Sequence, residues 1–97
     1  MNDLILEITQ EDIDKGKAGN CSLCPIALAL MRKFNLDPSE DSLDYARVGL
    51  TMASIFPVMD RKRKSQYFYL PDEASEFIKD FDSKLPVKPF SFTLIPR

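Results

Sequence analysis

The chain has 97 residues, which is enough for one domain around a single core but too short for two cores with a deep cleft between them. Hydrophobic residues make up 44% and charged residues 29%, as in ordinary folded domains, which argues against wholesale disorder. The net charge is −2, whereas a dedicated nucleic-acid-binding protein usually has a broad basic surface. The absence of histidine excludes histidine-based triads and zinc sites with histidine ligands.

The sequence contains no candidate membrane span. Its longest apolar run, residues 25–31, is far shorter than the roughly 20 residues that cross a bilayer, and residues 1–3 lack the basic start of a secretory signal. Two cysteines are too few for the disulfide framework of a small secreted domain. We therefore expect a cytoplasmic protein with no membrane partner.

The chain begins with a predicted strand and a short helical turn. Residues 4–9 (LILEIT) show the near-alternation of a strand with one buried face. Thr9 then offers a cap for a single helical turn over residues 10–15, because acidic side chains follow it two and three residues later. Gly16 and Gly19 predict an irregular loop before the next element.

Residues 24–33 (CPIALALMRK) predict a buried helix. Pro25 suits the first helical position, and Arg32 and Lys33 lie where positive charge stabilises the last carbonyl groups. Apolar side chains recur at helical spacing through this segment, and Asn35 with the Asp-Pro pair after it ends the helix. We predict that this helix forms the centre of the core.

Residues 43–56 fit two interpretations. A strand is favoured because β-branched residues and Gly49 lie in the interior and Pro57 follows directly, whereas a helix is the alternative because several apolar residues could share one helical face. Residues 66–70 (QYFYL) predict a strand that closes a hairpin with the preceding one, with the turn at residues 60–64.

The last two predicted elements are a helix and a strand. After Pro71, two acidic residues open a helix whose apolar side chains recur at helical spacing from Ala74 to Phe81. A final strand over residues 90–94 is stopped by Pro96.

The predicted order is strand, helix, strand, strand, helix, strand. It is the βαββαβ split-βαβ pattern of a ferredoxin-like fold, so we predict a single α+β domain over residues 1–97 with two helices packed on one face of the sheet. Phe34, Phe77 and Phe81 should then be buried against the strands. A different α+β sandwich, in which residues 43–56 are helical, is the alternative. In both arrangements the other face of the sheet can stay open.

Cys21 and Cys24 form a C-x-x-C pair at the start of the first long helix. Unpaired N–H groups and the helix dipole favour a thiolate at this position, which makes a thiol-disulfide redox module one hypothesis. The pair supplies only two of the four ligands that zinc usually has, so metal binding would need a dimer or carboxylates. The favoured interpretation is that Cys24 is a small buried residue, with no metal and no cofactor.

Residues 61–64 contribute four of the 13 positive charges. Together with two nearby tyrosines they resemble a platform for single-stranded nucleic acid or RNA, while the same charges can also form a solvated hairpin tip or dock on an acidic protein. The predicted partner-binding residues are Arg61, Lys62, Arg63, Lys64, Tyr67 and Tyr69.

Several short segments together resemble a family of small proteins of unknown function encoded by bacteriophages and prophages. They are residues 8–13 (ITQEDI) with Gly16, 24–29 (CPIALA), 69–71 (YLP) with Ala74, 77–78 (FI), 81–82 (FD), 86–87 (PV) and 89–92 (PFSF). The resemblance covers most of the chain except residues 38–65. It implies an accessory or host-modulating protein that acts inside a bacterium, and it carries over no catalytic residue.

The favoured function is therefore that of a small non-enzymatic protein that binds and modulates a host protein or a protein–nucleic-acid complex, with anti-defence activity as one specific version. A thiol-disulfide redox module and a nucleic-acid-binding module acting through the basic hairpin tip are the alternatives. A weak nucleic-acid contact and a homodimer both stay open.

Overall fold

A computed structural model describes residues 4–20, 22–36, 44–57 and 62–97. In chain order, these residues form β1 (Leu4–Ile8), α1 (Gln10–Lys15), α2 (Pro25–Lys33), β2 (Tyr45–Val48), β3 (Met52–Phe56), β4 (Gln66–Tyr69), α3 (Asp72–Asp82) and β5 (Phe90–Pro96).

The five strands form one sheet in the order β1-β5-β4-β3-β2. Every neighbouring pair is antiparallel. The α+β class is confirmed. The ferredoxin-like prediction does not fit the strand order. In a split βαβ unit another strand lies between the two strands that the helix joins, whereas β4 and β5, which α3 joins, are direct neighbours and β1 lies at the edge of the sheet.

The difference in topology begins at residues 43–56. A strand was the correct choice over a helix for the described part of this segment, but the segment forms two strands rather than one. A tight turn separates them, in which the Gly49 N–H donates to the Met52 carbonyl at 2.8 Å. β2 and β3 therefore form a hairpin, with Tyr45 opposite Phe56 and Val48 opposite Ala53.

Helix α2 lies inside the curve of the sheet. It contacts β1 and β2, which are the two opposite edge strands, and it also contacts β3. One straight helix can reach both edges only if the sheet curls around it, so the sheet has an inner face turned toward α2 and an outer face turned away. The buried inner-face side chains are Leu6, Ile8, Ala46, Val48, Ala53, Ile55, Phe68, Phe92 and Leu94. The prediction that this helix is central is confirmed.

Helix α2 ends where the sequence predicted, through a specific backbone motif. Asn35 takes a left-handed conformation with φ 56°, and the N–H of buried Leu36 donates to the Met31 carbonyl at 2.8 Å. This is a Schellman motif, which satisfies carbonyl groups that the helix itself cannot pair. Arg63 adds a second cap, since its Nη2 donates to the Phe34 carbonyl at 2.6 Å.

The predicted turn after β1 is confirmed as α1, and its cap is reciprocal. The Asp12 N–H donates to Thr9 Oγ1 at 3.2 Å, and the Thr9 N–H donates to Asp12 Oδ2 at 2.9 Å. Asp12 is also the buried acid that joins α1 to α2, because Arg32 Nη1 donates to its Oδ1 at 2.6 Å. This hydrogen bond raises the pKa of Arg32. Arg32 Nη2 donates to the Glu7 carbonyl at 2.8 Å, which ties β1 to the same pair.

Helix α3 packs at the end of the inner face. The ring of Phe77 lies 4.9 Å from that of Phe90 and 6.1 Å from that of Phe81, and Ser75 donates to the Leu50 carbonyl in the β2–β3 turn. Of the three phenylalanines predicted to be buried, Phe77 is buried and the other two, Phe34 and Phe81, are half-buried against the core. Phe34 stacks on Phe68, at 5.6 Å between ring centroids.

Candidate functional site

The strongest candidate site is the outer face of the sheet. Strand side chains alternate between the two faces, so each residue next to a buried inner position points outward. The outer-face residues of β2 to β5 are Tyr45, Arg47, Met52, Ser54, Phe56, Tyr67, Tyr69, Ser91, Thr93 and Ile95, all exposed or half-buried. The sequence prediction that one face of the sheet stays open is therefore confirmed for these strands.

All three tyrosines of the chain lie on the outer face. Their exposed fractions are 41% for Tyr45, 44% for Tyr67 and 45% for Tyr69. Phe56 lies between two of them, with its ring stacked 4.6 Å from Tyr45 and edge-on 6.1 Å from Tyr67. These contacts hold the rings in place while leaving tyrosine surface open to a ligand.

Among the described residues, the charged side chains on the outer face of β2 to β5 are two arginines. Arg47 projects from β2, and Arg97 lies beside β4, where its N–H donates to the Tyr67 carbonyl at 3.0 Å. The Arg97 guanidinium lies 6.0 Å from the centre of the Tyr69 ring, at the limit for a cation–π contact. Among the described residues, the first outward carboxylate is Glu7 on the far edge strand β1.

The predicted partner-binding residues fall into separate places. Arg61 lies outside the described residues, and Lys62 and Lys64 are exposed in the loop between β3 and β4. Arg63 is half-buried and caps α2 through the Phe34 carbonyl, so its charge already stabilises the fold. Tyr67 and Tyr69 are the two predicted residues that the outer face brings together.

Cys24 caps the N-terminus of α2. Its Sγ accepts the Ala27 N–H at 3.4 Å, and only 6% of the residue is exposed. Cys24 borders a small hollow of about 120 Å³ that Ile78 and Asp82 also line. Cys21 lies outside the described residues. The burial of Cys24 agrees with the structural interpretation of this residue, since a reactive thiol needs solvent access.

The acidic side chains of α3 lie on the other side of the molecule from the outer face. Glu73, Glu76 and Asp80 border a shallow groove of about 250 Å³ whose floor includes Phe77 and Phe90. Asp82 accepts the Gly19 N–H at 3.0 Å, which ties α3 to the loop before α2.

The described parts of the chain contain neither a metal-binding cluster of side chains nor a membrane-spanning helix. No group of three or more cysteine, aspartate or glutamate side chains there is arranged to hold a metal ion. No described helix has the length and apolar character of a membrane span.

The sequence prediction missed four members of the site: Tyr45, Phe56, Arg47 and Arg97. The signal was the period-two alternation in β2 and β3, which places Tyr45 and Arg47 on one face and Phe56 on the same face of the next strand. It is obscured when residues 43–56 are taken as one strand.

Comparisons with protein-family models, with curated proteins and with solved structures gave no match.

Proposed function

We propose that the protein is a non-enzymatic interaction protein whose binding surface is the outer face of the sheet. In the phage-type role that the sequence resemblance implies, its partner is a host protein or a protein–nucleic-acid complex whose activity it modulates inside a bacterium.

One observation carries this proposal: every tyrosine of the chain is exposed on the outer face, beside two arginines. Tyrosine and arginine are enriched at binding hot spots, because each offers a large contact area together with hydrogen-bonding groups. A chain that needed this face only for solubility would place shorter polar side chains there. The packing of Phe56 against Tyr45 and Tyr67 limits the side-chain freedom lost on binding.

The outer face is a different surface from the basic hairpin tip that the sequence favoured. Arg63 contributes its charge to the end of α2, whereas Tyr67 and Tyr69 belong to a continuous aromatic surface with β2 and β3. The proposal therefore moves the binding surface from the loop to the sheet and keeps the two tyrosines.

The test is affinity capture from bacterial lysate, with and without nuclease, using three forms of the tagged chain. These are the natural chain, an outer-face variant (Tyr67→Ala with Tyr69→Ala) and a matched control on α3 (Glu76→Ala with Asp80→Ala). All four positions lie at least partly open to solvent, so the folds should persist, which circular dichroism checks.

The proposal predicts a species that the natural chain and the α3 control capture and that the outer-face variant loses. Equal capture by the outer-face variant, or loss of capture in the α3 control alone, would contradict it. Loss of the captured species on nuclease treatment would identify a nucleic-acid component.

A further inference from the structure

We infer that the ligand of the outer face is single-stranded nucleic acid, stacked on the tyrosines and held by Arg47 and Arg97. The inference rests on the proposed function and specifies the chemistry of the partner at that same surface.

The strand register creates a row of residues across the outer face. Arg47 lies opposite Ser54, Ser54 lies opposite Tyr67, and the Tyr67 carbonyl accepts the Arg97 N–H. At about 4.8 Å between neighbouring strands, the two arginines start roughly 14 Å apart at either end of the row, with an exposed tyrosine ring between them. A guanidinium on each side of a stacking ring suits a base with a phosphate on either side.

The spacing of the tyrosine rings also suits a single strand. Tyr67 and Tyr69 are two residues apart on β4, so their side chains leave the same face about 7 Å from each other. Tyr45 extends the aromatic surface across the Phe56 ring to the edge strand. Successive unpaired bases can each lie on a ring of such a surface, whereas a double helix keeps its bases stacked inside.

Charge is distributed unevenly between the outer face and α3. Among the described residues, no aspartate or glutamate side chain lies on the outer face of β2 to β5, while α3 on the other side carries several exposed ones. The acidic face of α3 therefore disfavours a polyanion, whereas the outer face favours one. This resolves how a chain with a net charge of −2 can bind a phosphate backbone.

The experiment uses fluorescein-labelled oligo(dT) and oligo(U) of about 12 nucleotides, a length that falls within the site sizes of small single-strand-binding folds, and a duplex of the same length. Binding is measured by anisotropy for the natural chain and for Tyr67→Ala, Tyr67→Phe, Arg47→Ala and Lys79→Ala. Lys79 is exposed on α3, so its variant removes the same charge as Arg47→Ala from the opposite side.

The expected results separate stacking from charge. Tyr67→Ala should bind about 5- to 150-fold more weakly, and Tyr67→Phe should stay close to the natural chain because the ring is kept. Two phosphate contacts predict a slope of about −1.4 for the logarithm of the binding constant against that of salt concentration, and Arg47→Ala should reduce the slope by about 0.7. Lys79→Ala should change neither. Preference for RNA or DNA among the single strands identifies the natural form of the ligand.

Equal binding of duplex and single strands, or no greater loss in Tyr67→Ala than in Lys79→Ala, would overturn the inference. Failure of all oligonucleotides to bind would overturn it as well. The proposed function would survive that failure if the captured lysate component were a nuclease-resistant protein that still required Tyr67 and Tyr69.

Discussion

Replacing Asp12 by alanine should destabilise the protein by about 2–4 kcal/mol. The carboxylate is 6% exposed and accepts two hydrogen bonds, from the Thr9 N–H that completes the cap of α1 and from Arg32 of α2. Loss of the cap costs about 1 kcal/mol, and loss of a hydrogen bond to a charged group costs about 1.5–3 kcal/mol. The Arg32 side chain is half exposed and can be hydrated again in the variant, so the total loss of stability should stay within about 2–4 kcal/mol.

Urea unfolding followed by far-UV circular dichroism measures this change. With a slope of about 1.5 kcal/mol per molar for a chain of this size, the midpoint should fall by roughly 1–3 M. Asp14→Ala is the matched control, because Asp14 lies on the same helix and accepts only an exposed surface hydrogen bond from Gln10. It should change stability by less than about 0.5 kcal/mol. If Asp12→Ala and Asp14→Ala shifted the midpoint equally, the account of how α1 is joined to α2 would be wrong.

Three further predictions concern other parts of the fold. Gly16→Ala should lower the free energy of unfolding in urea by about 1–3 kcal/mol, because the added Cβ would lie 2.6 Å from Pro25 Cδ. Gly49→Ala is the control, since its Cβ would meet nothing closer than 3.6 Å, and it should change stability by less than about 0.5 kcal/mol. Equal effects of the two substitutions would refute the steric argument. In a Cys21→Ser background, the Cys24 thiol should react with iodoacetamide far more slowly in the folded chain than in urea, and equal rates would show that it is accessible. Lys84→Gly should stabilise the chain by up to about 1 kcal/mol, because Lys84 has φ 62° at the end of α3, and a lower unfolding midpoint would contradict this.

Local signals in the sequence were sufficient for the helices. Thr9 and Asp12 lie three residues apart, so their reciprocal cap depends on a single turn of chain. Pro25 and Asn35 bracket α2 in the same way, through conformational preferences that act within one or two residues. Such features can be predicted from the sequence because they form without any residue that is distant in the chain.

The sheet could not be predicted in the same way. Whether β1 pairs with β5 or lies beside another strand depends on how the sheet closes around α2, and this is decided by contacts between residues far apart in the chain. The turn at Gly49 also lacks the Asn-Gly or Asp-Gly pair that signals a tight hairpin, so β2 and β3 looked continuous.

The binding surface depended on that topology. Tyr67 and Tyr69 were recognisable from the sequence alone, because they follow a basic run. Tyr45 joins them only because β2 pairs with β3, and Arg97 only because β5 pairs with β4. Arg63 was predicted to bind a partner because it lies in a basic run, but its guanidinium donates a hydrogen bond to the Phe34 carbonyl instead.

The most direct test of the outer face as a binding surface is the intrinsic fluorescence of the protein. The chain has no tryptophan, and its three tyrosines all lie on the outer face, so their emission reports on this surface alone. Titration with oligo(dT) should quench the tyrosine emission in a saturable way, and the dissociation constant obtained should equal the one found by anisotropy. A parallel titration of free tyrosine corrects for light absorbed by the oligonucleotide. Saturable binding of the oligonucleotide with unchanged tyrosine emission would contradict the account, because the ligand would then lie elsewhere on the molecule.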